Sequence, residues 1–562
     1  MKAGKTTKII DYIDALGMAG LLVSVNGESA CSSVISYISD PDKKASAARQ
    51  VTDITYDSRA AGKGSLFVCK GAHFREKFLE DAVAAGAVCY VRQAGDEAVK
   101  AAASACSIDA ENNGQESDGR SSDGQGSAGK GTGDCFTPGK PVEILVSDIR
   151  DAMPVIAATF YGKLSDELKM IGITGTKGKS TTAYYMRFIL DEWMAATGGR
   201  RSAICSGIDN YDGVIEEESH LTTPELFELC HHMDNALKKG ITYMTMEVSS
   251  QGLKYDRVKG VDFEAGAFLN IGSDHISAIE HPDFNDYLES KLKIFGHCRK
   301  ACYNLDCDEQ ERIKAASADC PYVITFSCRD DSADVYGYDV RSEEGKVSLR
   351  IRGKDIRDYA DFDEEFTLGT FGTINVENAL AAVSLSALAG VPLEYVKSGL
   401  AKAISPGRME VFYSEDGKRI AIVDYAHNKL SYERFFETIR DEFPDKKMII
   451  VFGCPGGKAF ARREELGTIA GKCCEYTIVT EEDYGEEDVN KICREIGEFV
   501  AAAGGRFEII TDRVEAIKKA ITLMDDDTIL FLPGKGRETR EKRGIEYIDT
   551  PSDADVVIEY MK

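Results

Sequence analysis

The segment GITGTKGKSTTAYYMRFIL, residues 172 to 190, constrains the fold of this chain more than any other. An apolar run, LKMIGI, leads into a loop with Gly175, Gly178, Lys179 and Ser180, and a stretch with helical apolar spacing follows. Glycines let backbone N–H groups surround phosphate oxygens, and the start of a helix adds partial positive charge. The pattern therefore predicts a strand, a phosphate-binding loop and a helix. The strict P-loop pattern has glycine where Ile173 stands, so a glycine turn between strand and helix is the alternative.

Length and charge limit the function classes. The chain has 562 residues, too many for one hydrophobic core, so three or four domains are expected. Its net charge of -26 disfavours a nucleic acid or an anionic membrane as the main partner. The first residues, MKAGKTTKIIDYIDALG, form an amphipathic pattern without a signal-peptide core, and no apolar run has the length of a membrane span. These features predict a cytoplasmic protein.

Alternating β-like and helical patterns predict an α/β fold with mostly parallel sheets. They divide the chain into residues 1–164, 165–405 and 406–562. Residues 104–140 interrupt the first range with a run rich in Gly, Ser, Asp and Asn that has almost no aromatic residue. This composition buries too little apolar surface to offset the entropy of ordering, so we expect a disordered loop there.

Polar side chains stand at the ends of two predicted strands in the second range. Glu247 ends ITYMTMEV, and His275 follows a strand within LNIGSDHI. Because open α/β sheets bind ligands at the carboxyl ends of their strands, Glu247 is expected to hold Mg²⁺ beside the phosphate loop, with His275 as a second ligand. A solvated glutamate and a histidine with an ordinary polar partner are the alternatives.

The segment FNDYLESKLKIF, residues 284 to 295, has the spacing of an amphipathic helix. Its apolar stripe contains Phe284, Tyr287, Leu288, Leu292 and Phe295. Lys291 carries a charge, and from the sequence alone we expect it on the solvent face.

Taken together, the motifs resemble the Mur ligase family, in its muramyl-tripeptide synthetase branch. The motifs are TYDSRAAGKGSLFVCKG, GITGTKGKSTT, HLTTPE, MEVSSQGL, NIGSDH, YLESKLKIF, GTINVEN, PGRMEVF, VDYAHN, FGCPGG and GKGRE. The resemblance covers nearly the whole chain apart from about the first fifty residues and the 104–140 segment. It implies three domains: an N-terminal domain for a uridine-nucleotide substrate (1–164), a central P-loop ATPase domain (165–405) and a C-terminal Rossmann-like domain for an amino acid (406–562).

The resemblance also implies residue roles, with ATP and Mg²⁺ as cofactors. The implied catalytic residues are Lys179, Glu247, His275 and Lys291, and the implied metal site is Ser180, Glu247, His275 and a carbamylated Lys291. The implied ATP contacts are Gly175, Thr176, Lys177, Gly178, Lys179, Ser180, Thr181, Asn378, Arg408 and Asp424. The implied substrate contacts are Ser58, Arg59, Thr222, Thr223, Ser249, Arg257, Asp483, Gly534, Arg537 and Glu538. A carbamate forms on a neutral amine, so nearby cations are expected to lower the pKa of Lys291.

The implied reaction joins two carboxylate-bearing molecules through an amide bond. The carboxylate of a UDP-linked muramyl dipeptide attacks the γ-phosphorus of ATP, and the amine of a free amino acid then attacks the acyl phosphate. Positioning and charge neutralisation supply most of the rate enhancement in such chemistry. The enzyme is expected to act as a monomer.

The choice of amino acid follows from one position. Family members that add meso-diaminopimelate carry an Asp-Asn-Pro-Arg motif, whose arginine grips the distal carboxylate. This chain has Glu482, Asp483, Tyr484 and Gly485 at the matching place, and Arg537 and Asn428 also resemble the lysine-adding type. L-lysine is therefore the predicted substrate, with meso-diaminopimelate and ornithine as alternatives. Other open alternatives are a ligase of the folylpolyglutamate or cyanophycin kind and a nucleotide-binding scaffold without turnover.

Overall fold

The structure is a computed structural model that describes residues 6–29, 41–71, 74–100, 140–272, 276, 280–343 and 346–562. Residues 104–139 of the predicted disordered loop lie outside the described residues, and so does His275. The chain divides into two compact units. The first comprises Met1–Glu167, Pro224–Asp234 and Tyr255–Val261, and the second comprises Leu168–Thr223, Asn235–Lys254 and Asp262–Lys562.

The first unit is built on a six-stranded sheet. Its strands, in spatial order, are Glu28–Ser29, Leu22–Val25, Val142–Val146, Cys89–Gln93, Ser65–Val68 and Asp53–Thr55. The last four run parallel, and Leu22–Val25 pairs antiparallel with Val142–Val146. Thr7–Lys8 and Gln50–Val51 form a separate two-stranded sheet. The helices are Ile9–Met18, Pro41–Ala47, Glu76–Ala85, Ile149–Tyr161 and most of Leu226–Lys238.

The second unit contains an eleven-stranded sheet that carries the phosphate loop. Its strands, in spatial order, are Glu216–Glu218, Asp209–Tyr211, Ala203–Cys205, Tyr243–Glu247, Lys169–Thr174, Phe263–Phe268, Ala301–Asn304, Val323–Ser327, Val335–Glu343, Lys346–Gly353 and Phe362–Leu368. The strands from Ala203–Cys205 to Val335–Glu343 are parallel, and antiparallel strands close both edges. The helices are Lys179–Thr197, Ser250–Lys254, Phe284–Leu292, Gln310–Ser317, Val376–Ala389 and Leu393–Lys402, with 3₁₀ turns at Lys293–His297 and Thr373–Asn375. The 3₁₀ turn Leu164–Asp166 belongs to the first unit.

A second sheet of this unit lies in the C-terminal part of the chain. Its strands, in spatial order, are Glu410–Tyr413, Ile420–Asp424, Thr528–Pro533, Lys447–Phe452, Tyr476–Val479 and Phe507–Ile509. The first pairing is antiparallel and the others are parallel. A hairpin, Arg540–Arg543 with Glu546–Asp549, follows. The helices are Lys429–Glu442, Ala461–Cys473, Val489–Ala502, Arg513–Leu523 and Asp553–Tyr560.

The pattern of apolar residues explains why these elements form. The central strands are buried along their length, as continuous apolar runs such as KMIGIT and TILFLP require for parallel strands covered on both faces. The helix Val376–Ala389 is rich in alanine, ends at Gly390 in the left-handed region, and is buried on nearly every position. The predicted α/β fold is confirmed, while the exact domain limits at 164 and 405 stay a prediction.

Candidate active site

The phosphate loop joins the strand Lys169–Thr174 to the helix Lys179–Thr197, as the sequence predicts. Gly178 has φ +86°, and a Cβ at this position would collide with Oδ1 of Asn378 and lie 3.0 Å from its Cγ. Only glycine satisfies both the backbone conformation and the close approach. Lys179 Nζ donates to the carbonyl oxygen of Gly175 at 2.9 Å, so the ammonium group lies over the loop.

Lys291 also reaches this loop. Its side chain is 1% exposed, and Nζ donates to the same Gly175 carbonyl oxygen at 2.8 Å. The predicted position of Lys291 on the solvent face is therefore wrong, because Lys291 lies on the face of the helix Phe284–Leu292 that packs against the phosphate loop. One turn earlier, the Tyr287 hydroxyl lies 3.0 Å from Oγ1 of Thr176 and the Tyr287 ring lies beneath Lys291 Nζ.

Glu247 ends the strand next to the phosphate-loop strand. Its register partner is Ile173, its side chain is buried, and Oε1 accepts a hydrogen bond from the N–H of Gly207 at 2.7 Å. A Cβ on Gly207 would lie 3.5 Å from both Glu247 Oε1 and Thr222 Oγ1, so these two side chains flank one backbone position. The predicted placement of an acid at the strand end is confirmed, and its role in metal binding stays a prediction.

Thr223 and Ser249 form hydrogen bonds with the backbone that follows the strand Tyr243–Glu247. Thr223 Oγ1 donates to the carbonyl oxygen of Glu247 at 3.0 Å and accepts from the N–H of Ser249 at 2.8 Å. Ser249 Oγ accepts from the N–H of Gly252 at 3.0 Å. These bonds fix the turn that follows the Glu247 strand.

Asp424 lies on the C-terminal side of the same region. Its two carboxylate oxygens accept from the N–H groups of Met409 and Ala426, each at 2.6 Å. Burial raises the pKa of Asp424, while the Arg408 guanidinium opposes the shift. Arg408 itself stacks over the Tyr425 ring at 4.4 Å.

A cleft of about 610 Å³ brings most of the predicted residues together. Its lining includes these predicted residues: Thr176, Lys177, Gly178, Lys179, Ser180, Thr181, Thr222, Glu247, Asn378, Arg408, Asp424, Asp483, Gly534 and Glu538. The described side chains that line it do not include Gly175, Thr223, Ser249, Lys291 or Arg537. Loops from both sheets of the second unit therefore form one cavity.

Arg537 has a different partner from the one the sequence predicts. Its guanidinium binds Glu410 through two bonds, Nε to Oε2 at 2.9 Å and Nη2 to Oε1 at 2.5 Å. The next residue, Glu538, faces the cleft instead. Arg537 thus stabilises the loop that contains GKGRE. A contact between Arg537 and the amino-acid substrate stays a prediction, because Arg537 does not line the cleft.

Several cleft residues were missed by the sequence reasoning. They are Glu377, His427, Arg434, Lys458, Arg462 and Lys535. Lys458 follows the motif FGCPGG, and the motifs GTINVEN, VDYAHN and GKGRE contain Glu377, His427 and Lys535, so position in or next to a motif was the available signal. Arg434 and Arg462 lie outside the quoted motifs.

Glu482 and Lys535 are two buried groups of the cleft whose pKa values are raised. Burial raises the pKa of Glu482 to about 8, although Arg513 and Lys535 oppose the shift. Burial disfavours the charge of Lys535, but Glu538, Glu541 and Asp483 together raise its pKa. Lys535 Nζ lies 2.8 Å from Glu538 Oε2 and 3.2 Å from Asp483 Oδ1. This wall of the cleft therefore carries more carboxylates than cations.

The remaining predicted residues lie in the first unit. Arg59 is exposed and pairs with Asp57 through Nε at 2.9 Å and Nη2 at 2.6 Å, and Ser58 lies between them in the chain. Arg257 Nε lies 2.9 Å from Glu225 Oε1, and the other oxygen of Glu225 binds Lys70 Nζ. Lys70 and Arg257 of the first unit therefore share one carboxylate, whereas Arg59 pairs with a neighbour in its own loop.

Comparisons with known proteins agree with this geometry. A model of the Mur ligase middle domain matches residues 173–386, and a model of the Mur ligase glutamate ligase domain matches residues 407–536. A UDP-N-acetylmuramoyl-L-alanyl-D-glutamate--L-lysine ligase of Enterococcus faecalis is 33% identical over 513 residues, which is 91% of each chain. A UDP-N-acetylmuramyl-tripeptide synthetase of Lactobacillus delbrueckii subsp. bulgaricus is 33% identical, over 90% of this chain and 92% of that one. The solved structure of a UDP-N-acetylmuramoyl-L-alanyl-D-glutamate--2,6-diaminopimelate ligase superposes with a TM-score of 0.59 at 22% identity, over 92% of this chain and 96% of that one, and shares the fold.

Proposed function

This chain belongs to the Mur ligase family of ATP-dependent, amide-forming enzymes of peptidoglycan precursor synthesis, and we propose that it joins L-lysine to UDP-N-acetylmuramoyl-L-alanyl-D-glutamate. The observation that carries the choice of lysine is the acidic wall formed by Glu482, Asp483 and Glu538 in the cleft. The name of the Enterococcus faecalis relative supports the same choice.

The phosphate loop holds ATP in this proposal. Backbone N–H groups around Gly178 and the ammonium group of Lys179 meet the β- and γ-phosphates, while Asn378, Arg408 and Asp424 hold the adenosine half. The close approach of the Asn378 side chain to Gly178 supports this assignment, because it brings the loop and a residue assigned to the adenosine half together. Lys179 also stabilises the charge that accumulates on the transferred phosphoryl group.

Oxygen donors in the cleft suit a magnesium ion. The Ser180 hydroxyl and the Glu247 carboxylate are both on the lining, and Mg²⁺ prefers oxygen ligands. When bound, Mg²⁺ neutralises charge on the phosphate oxygens. His275 and a carbamylated Lys291 are proposed as further members of the metal site, and Lys291 is already held at the loop by its bond to Gly175.

The reaction then needs little acid or base chemistry from side chains. The glutamyl carboxylate of the muramyl substrate attacks the γ-phosphorus of ATP, which gives an acyl phosphate and ADP. The amine of the amino acid attacks the acyl carbon, phosphate leaves, and the amine loses a proton as the amide forms. Thr222 and Glu247 line the cleft near the phosphate loop and are proposed to position the acyl group.

Charge explains why lysine is favoured over diaminopimelate. Gly485 offers no guanidinium for a distal carboxylate, and its backbone is bound to the hairpin through the carbonyl oxygen of Lys542 and the N–H of Gly544. The carboxylates of Asp483 and Glu538 instead attract a distal ammonium group, and Glu482, whose pKa is raised to about 8 by burial, ionises when that group binds. Lys458 and Arg462 line the same cleft and are proposed to balance the α-carboxylate.

The first unit is proposed to bind the uridine nucleotide. Ser58 and Arg59 are assigned to the nucleotide and Arg257 to the anionic sugar-peptide, and Lys70 adds a further cation to this group. Among the described residues, no helix is long and apolar enough to cross a bilayer. Dependence on ATP and on a UDP-linked substrate supports a cytoplasmic location.

The test is phosphate release from ATP with UDP-N-acetylmuramoyl-L-alanyl-D-glutamate and either L-lysine, meso-diaminopimelate or L-ornithine, with the product identified by mass spectrometry. We expect release with L-lysine and a mass increase of one lysyl residue. Lys179→Met is the control for contaminating ATPases, since it keeps the side-chain length but removes the charge. Release with diaminopimelate or ornithine alone contradicts the proposed amino acid, and silence with all three contradicts turnover on this substrate.

A further inference from the structure

A buried histidine connects the two segments that approach the phosphate loop in the second unit. His281 is fully buried and uses both ring nitrogens. Nδ1 lies 2.6 Å from Asp286 Oδ2, at the start of the helix that carries Lys291. Nε2 lies 3.0 Å from Oγ of Ser250, in the turn that follows Glu247.

The partners of His281 determine its tautomer. Lys254 Nζ donates to the same Asp286 Oδ2 at 2.7 Å, and Lys254 followed by His281 lowers the pKa of Asp286. An ionised carboxylate only accepts hydrogen bonds, so Nδ1 of His281 carries the proton. In the neutral ring Nε2 is an acceptor, and the Ser250 hydroxyl donates to it. The Ser250 hydroxyl therefore donates to His281, and His281 in turn donates to Asp286.

The same helix delivers two contacts to the phosphate loop. Tyr287 follows Asp286, packs edge-on against the His281 ring with centroids 5.2 Å apart, and reaches Thr176 Oγ1 at 3.0 Å. Lys291 reaches the Gly175 carbonyl oxygen one turn later. Movement of the helix N-terminus would displace both contacts, because side chains four apart lie on one helix face.

We propose that His281 is a positioning residue for ATP binding, which fixes the Lys291 helix to the Glu247–Ser250 segment and so sets the shape of the phosphate loop. The inference rests on the proposed function in one respect: the loop that it shapes is the one assigned to ATP. His281 acts through Tyr287 and Lys291, and it contacts neither the cleft nor its contents among the described residues.

The order Ser250, His281, Asp286 is also that of a hydrolytic serine nucleophile, its base and its carboxylate. Two observations favour positioning. Ser250 is 5% exposed, so a substrate carbonyl lacks access to its hydroxyl. Asp286 shares one oxygen between His281 and Lys254, which holds the carboxylate as a structural link.

The test uses variants that keep one bond at a time. In His281→Asn the amide nitrogen takes the place of Nδ1 and keeps the bond to Asp286, while the bond to Ser250 is lost. In His281→Gln the longer side chain places its amide near Nε2 and keeps the bond to Ser250. Ser250→Ala removes the same bond as His281→Asn by deleting one hydroxyl, and it serves if the histidine variants fail to fold. His232→Asn is the matched control, because it replaces a histidine of similar burial, 3% exposed, in the first unit.

Each variant is measured by calorimetric binding of a non-hydrolysable ATP analogue with Mg²⁺, by the KM values for ATP and the amino acid, and by its melting temperature. Loss of the Ser250 bond is expected to raise the analogue Kd and the ATP KM about tenfold, the factor typical of one buried hydrogen bond, and to leave the amino-acid KM unchanged. His281→Gln should bind more tightly than His281→Asn. His232→Asn should lower the melting temperature without changing the Kd.

Two results would overturn the proposal. A lower melting temperature with an unchanged analogue Kd in both His281→Asn and Ser250→Ala would leave His281 a purely structural residue. Labelling of Ser250 by a fluorophosphonate in the wild-type enzyme would favour the hydrolytic arrangement. The binding measurement contains no amino acid, so an error in the choice of lysine would not affect it.

Discussion

Glu482 is the residue whose ionisation is tied most closely to the proposed choice of amino acid. Burial raises its pKa to about 8 from 4.5, and Glu541 and Asp483 add to the shift while Arg513 and Lys535 oppose it. Between these two values the folded state holds a proton that the unfolded state has released. The contribution of this group to the free energy of unfolding therefore falls as pH rises through that window. A bound ammonium group would lower the pKa of Glu482, because it stabilises the ionised carboxylate.

Replacement of Glu482 by Gln removes the titration. We expect the free energy of unfolding of Glu482→Gln, relative to wild type, to increase between pH 5 and pH 8, as measured by urea unfolding without ligand. We also expect the KM for L-lysine to rise about tenfold, since a charge-assisted hydrogen bond to the ligand is lost.

The control for Glu482 lies in the same acidic run. Glu486 is exposed, so Glu486→Gln changes the net charge equally without altering a buried group. An equal KM for L-lysine in Glu482→Gln and wild type would remove Glu482 from the proposed side-chain pocket.

Sequence and structure agree well on single residues where a motif fixes backbone chemistry. Gly178, Lys179, Glu247 and Asp424 lie in the cleft where their motifs predict. Arg537 does not, because Glu410 lies 127 positions away in the chain and its ion pair was not visible from local sequence. Long-range ion pairs of this kind depend on tertiary contacts that one sequence does not reveal.

At the scale of elements, the junction of strand, loop and helix is the feature to which we assign ATP binding. Gly178 and Gly198 stand at opposite ends of the helix Lys179–Thr197, with φ values of +86° and +76°. Their surroundings differ: a Cβ at 178 would collide with Asn378, whereas a Cβ at 198 would meet nothing within 4 Å. An alanine at 198 therefore introduces backbone strain alone, whereas an alanine at 178 introduces both backbone strain and steric overlap.

Gly178→Ala and Gly198→Ala are expected to lose similar stability from strain, about 1 kcal/mol each in chemical unfolding. Only Gly178→Ala should weaken ATP binding, by more than tenfold in calorimetry, because the added methyl group displaces the Asn378 amide and closes the loop backbone. Equal ATP affinities in the two variants would contradict the assignment of this loop to the nucleotide.

The helix that carries Lys291 shows where an expectation from residue type fails. The predicted helix begins at Phe284 as expected, and its apolar residues Tyr287 and Leu288 are buried. Lys291 is buried as well, one turn after Tyr287, because that face of the helix packs against the phosphate loop. A charged residue type predicts exposure, and the sequence does not reveal that a backbone carbonyl of a distant segment accepts its hydrogen bond.

At the scale of the second unit, two sheets that are far apart in sequence meet across the cleft. Outside the lining of the cleft, two hydrogen bonds link the region of the edge strand Glu216–Glu218 to the region of the hairpin strand Arg540–Arg543. Thr539 Oγ1 donates to Glu218 Oε2 at 2.7 Å, and Arg540 Nη2 donates to His220 Nδ1 at 2.7 Å. The sequence predicts both sheets but not this contact, because the motif HLTTPE, which begins at His220, does not indicate that the residues after GKGRE lie beside it.

We expect these hydrogen bonds to hold the two walls of the cleft close enough together for both substrates to bind. Arg540 Nη2 also lies 3.7 Å from Glu218 Oε1. The substitution Arg540→Met therefore removes the charged partner of Glu218 and His220 and keeps much of the side-chain volume. A partly exposed ion pair contributes up to about 1 kcal/mol, so the variant should raise the KM for ATP and for the amino acid roughly two- to fivefold. The melting temperature should change little, since the core of each sheet is untouched.

Arg341→Met provides the comparison for this contact, because Arg341 forms an exposed pair with Glu365 at 2.8 Å between two outer strands of the same unit. Its KM values should match wild type. In high salt, screening should bring wild type and Arg540→Met closer together, as steady-state kinetics at two ionic strengths will measure. If Arg540→Met leaves both KM values unchanged at low salt, the bonds at 539 and 540 do not control closure.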